Sequence, residues 1–141
     1  MTDCIFCDIL AGDAPSSPLY QDELCYAFLD IRPVNPGHTL IIPRSHAASL
    51  MDLDPDHGAQ LFRVGQKIAH GLRSSGLRCE GVNLFLADGE VAGQEVFHLH
   101  LHLFPRFAAD GFGFRFGPEY GQRPERGELD RTAKAISSYL R

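Results

Sequence analysis

Ten residues from Phe97 to Arg106 constrain this chain more than any other stretch, because they read Phe-His-Leu-His-Leu-His-Leu-Phe-Pro-Arg. Polar and apolar side chains alternate along the segment, which is typical of a strand with one face in a core and one face open. The imidazoles of His98, His100 and His102 are therefore expected on one face, about 6.5 to 7 Å apart along the strand. The intervening leucines are expected to enter the core behind them.

Three imidazoles on one face favour a chemical site over a structural role. A single histidine on an apolar strand is usually a hydrogen-bonded core residue. Three in register would be costly to bury without partners, because imidazole is polar and titrates near neutrality. The interleaved leucines and the internal position exclude an affinity tag. Two interpretations stay open from the residues alone: metal ligands, or a nucleophile with its supporting acids.

Size and charge narrow the class of protein. A chain of 141 residues fits one domain, 1–141, with a core at about 4–106 and a loop and helix at 107–141. A net charge of −5 argues against a nucleic-acid partner. No apolar stretch suits a membrane span, and the N-terminal residues lack the basic and apolar parts of a signal peptide, so we expect a cytoplasmic protein with reduced cysteines.

Apolar periodicity predicts an α+β fold with a largely antiparallel sheet. Helical spacing occurs at 5–10 and again at 129–140. The clearest helix begins at Asp54-Pro55, a cap followed by a favoured first residue, and carries an apolar stripe from Leu61 to Leu72. Neighbouring strands joined by short turns are expected to pair antiparallel. The predicted strands are 19–21, 25–29, 38–43, 82–86 and 97–106.

Two cysteines, Cys4 and Cys7, lie at the beginning of the first helix. In a reducing compartment such a close pair of cysteines binds a metal ion or takes part in redox chemistry more often than it forms a structural disulfide. Thioredoxin-like chemistry would require the pair between a strand and a helix, so redox chemistry is the weaker interpretation. Cys25 and Cys79 fit ordinary thiols.

The histidine segment, with Gly93-Gln94 shortly upstream, resembles the signature of the histidine triad (HIT) family of nucleotide hydrolases and transferases. Segments 28–31 and 36–43 are similar to that family's nucleoside-binding strand and loop, so the resemblance covers about 5–106. It implies the HIT fold, a five-stranded and largely antiparallel sheet with a long packing helix, a short N-terminal helix and a C-terminal helix. It also implies a homodimer in which two such sheets join.

The resemblance also implies roles for individual residues. His100 would be the nucleophile that forms a covalent nucleotidyl-histidine, which water then hydrolyses. His102 would donate to the α-phosphate or the leaving group, and His38 and His98 would support the row. The implied substrate contacts are Asp30 to the ribose hydroxyls, backbone amides of Gly93 and Gln94 to phosphate oxygens, and Ile5, Phe6, Phe28, Ile31 and Leu40 as walls of the base pocket. Each of these apolar residues fits plain core equally well.

A structural zinc ion is the implied cofactor. Some members of the family, and related uridylyltransferases, are similar in holding zinc on positions that correspond to Cys4, Cys7, His46 and His98. Two thiolates and two imidazoles would form a closed tetrahedral shell with no position for a substrate. The ion would fix the tautomer of His98 and stiffen the strand that carries His100. The alternative is that Cys4 and Cys7 are reduced thiols that bind no metal ion and only pack against neighbouring side chains.

Two branches of the family fit in part. Ala87 and Glu95 replace an asparagine and a serine of the phosphoramidase branch near the leaving group, and we expect Glu95 to point outward, because an inward carboxylate would repel a polyphosphate. Segments 32–38, 92–94 and 105–106 look more like the fragile-histidine branch, which cleaves dinucleoside polyphosphates. Arg106 could meet a distal phosphate, although a surface salt bridge fits it better.

The predicted function is therefore hydrolysis or nucleotidyl transfer at the α-phosphate of a purine nucleotide, either a phosphoramidate or a dinucleoside polyphosphate. A nucleotide-binding or regulatory module without turnover is the alternative, and the intact row of His98, His100 and His102 argues against it. A metalloenzyme that uses the row directly as its metal site is a third hypothesis. The separate Cys4 and Cys7 pair argues against that one.

Overall fold

Five strands form an antiparallel sheet in the computed structural model, which describes residues 2–140. They are β1 (Pro18–Gln21), β2 (Cys25–Leu29), β3 (Thr39–Pro43), β4 (Gly81–Leu86) and β5 (Leu101–Arg106). Their order across the sheet is β1-β2-β3-β5-β4, and all neighbouring strands are antiparallel. The α+β fold predicted from the sequence is confirmed.

The histidine segment supplies an inner strand but a shorter one than the alternation predicts. β5 begins at Leu101, so His98 and His100 precede it and only His102 lies within it. Pro43, the last residue of β3, is the physical reason, because proline has no N–H with which to continue the ladder past the Ile41–Leu101 pair. The alternation itself persists, since the leucines at 99, 101 and 103 are all buried.

Two helices cover the two faces of this sheet. Helix α1 (Ile5–Ala11) begins after Cys4, whose sulfur accepts the N–H of Cys7, and ends at Gly12 with a left-handed φ of 84°. Helix α2 (Pro55–Ser74) is capped by the Asp54 carboxylate as predicted, and its stripe from Leu61 to Leu72 is buried. The α2 side of the core contains Cys25, Ala27, Ile41, Leu101 and Leu103. The α1 side contains Phe6, Phe28, Leu40 and Ile42.

The register places the histidines on the α1 face. His102 lies opposite Leu40 of β3 and Phe85 of β4, and directly opposed residues in a sheet point to the same side. Leu40 belongs to the α1 side of the core. The histidines of the candidate site therefore lie on the face of the sheet that helix α2 does not cover.

The chain divides into two compact units, Met1–Gly111, which holds the sheet, and Phe112–Arg141, which holds helix α3 (Arg126–Ser137). The periodicity predicts this last helix over 129–140, whereas the structure begins it at Arg126 and ends it at Ser137. No described side chain from 112 to 140 is buried. The single domain over 1–141 stays a prediction. Among residues 2–140, no helix has both the length and the apolar character that crossing a membrane requires.

Candidate active site and metal cluster

Four metal-ligating side chains meet where α1 passes the histidine segment. They are Cys4, Cys7, His46 and His98, and their ligand atoms all lie within 4.8 Å of one another. The Nδ1 atoms of the two histidines are 3.2 Å apart. The nitrogen–sulfur distances are 3.5 Å from His98 to Cys4, 3.6 Å from His98 to Cys7 and 3.4 Å from His46 to Cys7. Residues 94 positions apart in the sequence thus form one cluster.

These distances fit a tetrahedral ion. Bonds of about 2.0–2.1 Å to nitrogen and 2.3 Å to sulfur, at tetrahedral angles, separate two nitrogens by about 3.3 Å and nitrogen from sulfur by about 3.6 Å. The ring of His98 is oriented for such a role, because its Nε2 lies 2.8 Å from the carbonyl oxygen of Pro43 and donates to it. The lone pair of the neutral ring is then on Nδ1, which faces the thiols. The cluster can hold a metal ion with no residue added.

His100 has the opposite tautomer. Its Nδ1 lies 2.8 Å from the backbone carbonyl of His98 and donates to it, so the lone pair of the neutral ring is on Nε2. The ring is buried, with the edge of Phe6 at a centroid distance of 5.1 Å. Burial lowers the pKa of His100, which keeps the ring neutral near pH 7. A neutral imidazole with an available Nε2 is a competent nucleophile.

A hydrogen-bond relay fixes the proton of His102. The backbone N–H of Val34 donates to Nδ1 of His38 at 3.0 Å, so the neutral ring of His38 carries its own proton on Nε2. That Nε2 lies 2.9 Å from Nδ1 of His102 and 3.5 Å from a carboxylate oxygen of Asp30. His102 therefore accepts at Nδ1 and presents an N–H at Nε2. Burial, then the nearby rings of His100 and His38, lowers the pKa of His102 to about 4.

The catalytic candidates line one open cavity of about 370 Å³. His38, His100 and His102 form part of its wall together with Asp30. A larger apolar cavity of about 690 Å³ lies beside α2 and shares only Asp30 and His38 with this site. Of the two cavities, the smaller one is the candidate active site, because His100 and His102 line it and do not line the larger one. Its other lining residues are Arg32, Val34, Phe85, Gly93, Glu95 and Phe104.

The backbone amides of Gly93 and Gln94 have partners within the protein, and their contact with phosphate oxygens stays a prediction. The N–H of Gly93 donates to the carbonyl of Glu90, and that of Gln94 donates to the carbonyl of Gly89. A short 3₁₀ turn at Glu90–Ala92 uses both donors. The Gln94 side chain is buried and holds the turn, because it accepts from Gly89 and donates to the carbonyls of Ala48 and Val96.

The predicted base-pocket residues fall into two groups. Phe6, Phe28 and Leu40 are buried together in the α1 side of the core and do not line the cavity. Their packing fits the core interpretation. Ile5 and Ile31 are exposed, with 49% and 92% of their surface accessible, so they can offer apolar surface to a base, and that role stays a prediction.

Comparison with known protein families gives a match to the HIT domain over residues 11–109. The chain belongs to the HIT family. An uncharacterized HIT-like protein from Borreliella burgdorferi is 47% identical to it over 118 residues, which cover 83% of this chain and 85% of the relative. Adenylylsulfatase HINT3 from Arabidopsis thaliana is 36% identical over 109 residues, which cover 77% of this chain and 54% of that protein.

Solved structures of the HIT family confirm the fold. A family member from Bacillus subtilis is similar at a TM-score of 0.90 and 38% identity, with 99% of both chains covered. A Zn-bound histidine triad protein from Mycobacterium smegmatis is similar at a TM-score of 0.76 and 42% identity, with 96% of this chain and 97% of that chain covered.

One buried hydrogen-bond network of this HIT domain has no signal in the sequence. Asn35 donates to the carbonyl of Pro105 and to the carboxylate of Asp110, at 2.8 and 2.9 Å. Arg106 pairs with the same carboxylate through two nitrogens, at 2.6 and 2.9 Å, and also donates to Asn83. Arg106 is thus in a salt bridge, and the network ties the loop that carries His38 to the end of β5. No pattern among neighbouring residues of the sequence indicates that Asn35 contacts Asp110, which lies 75 positions further along the chain.

Proposed function

We propose that this HIT-family protein hydrolyses or transfers a nucleoside monophosphate group through a covalent nucleotidyl-His100 intermediate. The observation that carries the proposal is the pair of opposite proton positions in one cavity. His100 offers a lone pair at Nε2 and His102 offers an N–H at Nε2. A nucleophile beside a proton donor is what displacement at a phosphorus atom requires. The adenylylsulfatase relative supports a hydrolase acting on an activated nucleotide.

In the first step, Nε2 of His100 attacks the α-phosphorus in line with the bond to the leaving group. The new P–N bond forms as the bond to the leaving group breaks, and the leaving group takes its electron pair and a proton from solvent in the open cavity. The imidazole becomes cationic in this step. The carbonyl of His98 stabilises that charge, because it already accepts the Nδ1–H of His100.

In the second step, water attacks the α-phosphorus from the side that the leaving group has vacated. The P–N bond breaks, its electron pair returns to Nε2 of neutral His100, and the proton lost by the water passes to solvent, which replaces the one taken in the first step. The Nε2–H of His102 is proposed to bind a non-bridging phosphoryl oxygen in both steps. His38 keeps that proton in place, because its own Nε2–H occupies Nδ1 of His102. Asp30, at the edge of the cavity, is proposed to accept from the ribose hydroxyls of a purine nucleotide.

We also propose that Cys4, Cys7, His46 and His98 hold a structural zinc ion. The support is the ligand chemistry and the agreement of the distances with a tetrahedral shell. When bound, zinc supplies rigidity, since all four positions would be filled by protein. His98 would then hold its carbonyl, the acceptor for His100, in a fixed direction.

We also propose that the protein forms a homodimer. β4 is an edge strand with β5 on one side, and an open edge can pair with the same strand of a second copy. Size-exclusion chromatography with light scattering tests it, with about twice the 15.6 kDa chain mass as the expected result.

Intact-protein mass spectrometry tests the covalent step. Adenosine 5′-phosphoramidate and diadenosine triphosphate are each mixed with the protein and quenched rapidly, once in acid and once in base, because the phosphorus–nitrogen bond is acid-labile. The wild type should gain the mass of an adenylyl group, and His100→Ala should not. Binding of AMP by calorimetry without an adduct or AMP release would instead indicate a nucleotide-binding module that does not turn over.

A further inference from the structure

The two thiols of the metal cluster are close enough to react with each other. The sulfurs of Cys4 and Cys7 lie within 4.8 Å of one another. Residues three positions apart in a helix have Cα atoms about 5 Å apart, and disulfides join cysteines whose Cα atoms are about 4.4–6.8 Å apart. Cys4 precedes α1 in extended backbone. Rotation of the two side chains can therefore bring the sulfurs to bonding distance.

Solvent reaches the cluster from one side. Cys4 and Cys7 are half-buried, and His46, whose Nδ1 is 3.4 Å from the sulfur of Cys7, is exposed. His98 closes the opposite side of the cluster and is fully buried. A small neutral oxidant such as hydrogen peroxide therefore meets the cluster from the His46 side, and no unfolding is needed for it to reach a sulfur.

The other two cysteines have different surroundings. Cys25 is fully buried in the α2 side of the core. Burial raises the pKa of its thiol to about 12, so this thiol stays protonated and unreactive near pH 7. The thiol of Cys79 donates to the carbonyl oxygen of Gly81 at 3.3 Å and lies outside the cluster. The accessible thiols that share a cluster are those of Cys4 and Cys7.

A metal ion in the cluster and a disulfide between its thiols exclude each other. Zinc is bound by thiolates, and a disulfide sulfur carries no thiolate charge. After oxidation only His46 and His98 would keep their ligand atoms, which is two fewer than a closed tetrahedral shell contains. This inference rests on the proposed zinc site, because the ion is what the disulfide displaces.

We propose that Cys4 and Cys7 are an oxidation site, at which a peroxide converts the two metal-binding thiolates into a disulfide and the ion is released. One thiolate attacks a peroxide oxygen, the O–O bond breaks, hydroxide leaves and the sulfur becomes a sulfenic acid. The second thiolate attacks that sulfur, the S–S bond forms, and a second hydroxide leaves. The two sulfurs are oxidised, and the peroxide is reduced to two water molecules with two protons from solvent.

Oxidation should act on stability and leave the nucleophile in place. The Nε2–H of His98 is bonded to the carbonyl oxygen of Pro43 and not to a thiol. The backbone carbonyl of His98, which accepts from His100, therefore keeps its position when the thiols are oxidised. The oxidised protein should be less stable because it lacks the ion, as expected for a chain that has lost one of the two thiols.

Treatment of the zinc-loaded wild type with hydrogen peroxide tests this site. Elemental analysis gives the zinc content before treatment, and a chromogenic chelator follows the release of zinc. Peptide mass mapping after alkylation of free thiols locates any disulfide. Wild type freed of metal with a chelator is treated in parallel with glutathione disulfide. The matched control is Cys79→Ser, which removes a half-buried thiol outside the cluster.

We expect about one zinc ion to be released for each Cys4–Cys7 disulfide that forms, in the wild type and in Cys79→Ser alike. The urea concentration at the midpoint of unfolding should fall on oxidation and recover when dithiothreitol and zinc are added. His46→Asn keeps both thiols but lacks one ligand, so it should form the disulfide several-fold faster than the zinc-loaded wild type. The metal-free wild type should form the same disulfide with glutathione disulfide.

The outcomes separate the oxidation site from the zinc site. If elemental analysis finds no zinc before treatment, the zinc site fails, and the release proposed here fails with it. If zinc is bound but peroxide leaves Cys4 and Cys7 reduced, or oxidises them without joining them, the oxidation site is wrong and the zinc site stands. A Cys4–Cys7 disulfide that forms while the ion stays bound also overturns the proposal.

Discussion

His98 and His100 are two residues apart, yet their rings belong to sites of opposite character. His98 donates from Nε2 to the carbonyl of Pro43 and turns Nδ1 towards two thiols. His100 donates from Nδ1 to the carbonyl of His98 and leaves Nε2 for the cavity. A backbone carbonyl therefore decides, for each ring, which nitrogen can act. The same residue type becomes a candidate metal ligand in one place and a candidate nucleophile in the other.

The two sites are also joined by this arrangement. The carbonyl that orients His100 belongs to His98, whose side chain is part of the metal cluster. Substitutions in the metal cluster and in the histidine cavity should therefore separate effects on stability from effects on turnover.

Replacing His100 by Asn should have the largest effect and should act on turnover alone. We expect kcat to fall by about 10⁴-fold or more, because the variant has no nucleophile, while AMP affinity stays within about three-fold of the wild type. Quenched-flow or steady-state assays, with calorimetry for AMP, measure both quantities. His70→Asn, an exposed histidine of α2, is the control. Collapse of AMP affinity in the His100 variant would contradict its assignment as nucleophile.

Replacing Cys7 by Ser should act mainly on stability. We expect bound zinc to fall from about one ion per chain to near zero and the free energy of unfolding to fall by about 4 kcal/mol, the value for a ligand present at a thousand times its Kd. Elemental analysis and urea denaturation give the two numbers. Cys79→Ser removes a thiol outside the cluster and should keep its zinc. A Cys7→Ser protein with a full complement of zinc would refute the cluster.

Acid should destabilise the fold at the candidate active site through His102. Its pKa is about 4 in the folded chain and near 6.5 when unfolded, so between these values the unfolded state binds the extra proton. The stabilising contribution is therefore complete above about pH 6.5 and is lost as pH falls towards 4. For this half-buried ring we expect about 2 kcal/mol. Urea titrations at several pH values measure the free energy of unfolding of the wild type and of His102→Gln. If this free energy changes with pH identically in both proteins, the effect of His102 is excluded.

The local features of this molecule could be predicted, because their causes are local. Asp54, Pro55 and the stripe from Leu61 to Leu72 place helix α2 with its correct cap and buried face. Alternation places the leucines of the histidine segment in the core. The sequence predicts that α1 stops at Gly12, and it does. The residue that ends the helix has a left-handed φ, which glycine adopts without strain.

The features that sequence reasoning misses depend on distant partners. β5 begins late because of Pro43 on another strand, and no pattern within 97–106 contains that information. The amides of Gly93 and Gln94 are consumed by the turn that precedes them. The contact of Asn35 with Asp110 spans 75 residues. The set Cys4, Cys7, His46 and His98 could be anticipated only through family resemblance, since its members meet only after the sheet has formed.

β5 enters the sheet between β3 and β4, which both precede it in the chain. During synthesis, β1, β2 and β3 can pair as soon as they emerge, but the inner edge of β3 stays open until the β4–β5 hairpin arrives. An open edge beside an uncovered apolar face invites pairing with other chains. His38 and His102 come together only in that last insertion. The candidate site is therefore complete only when β5 is in place, and a fragment that ends before Arg106 lacks the complete strand that carries it.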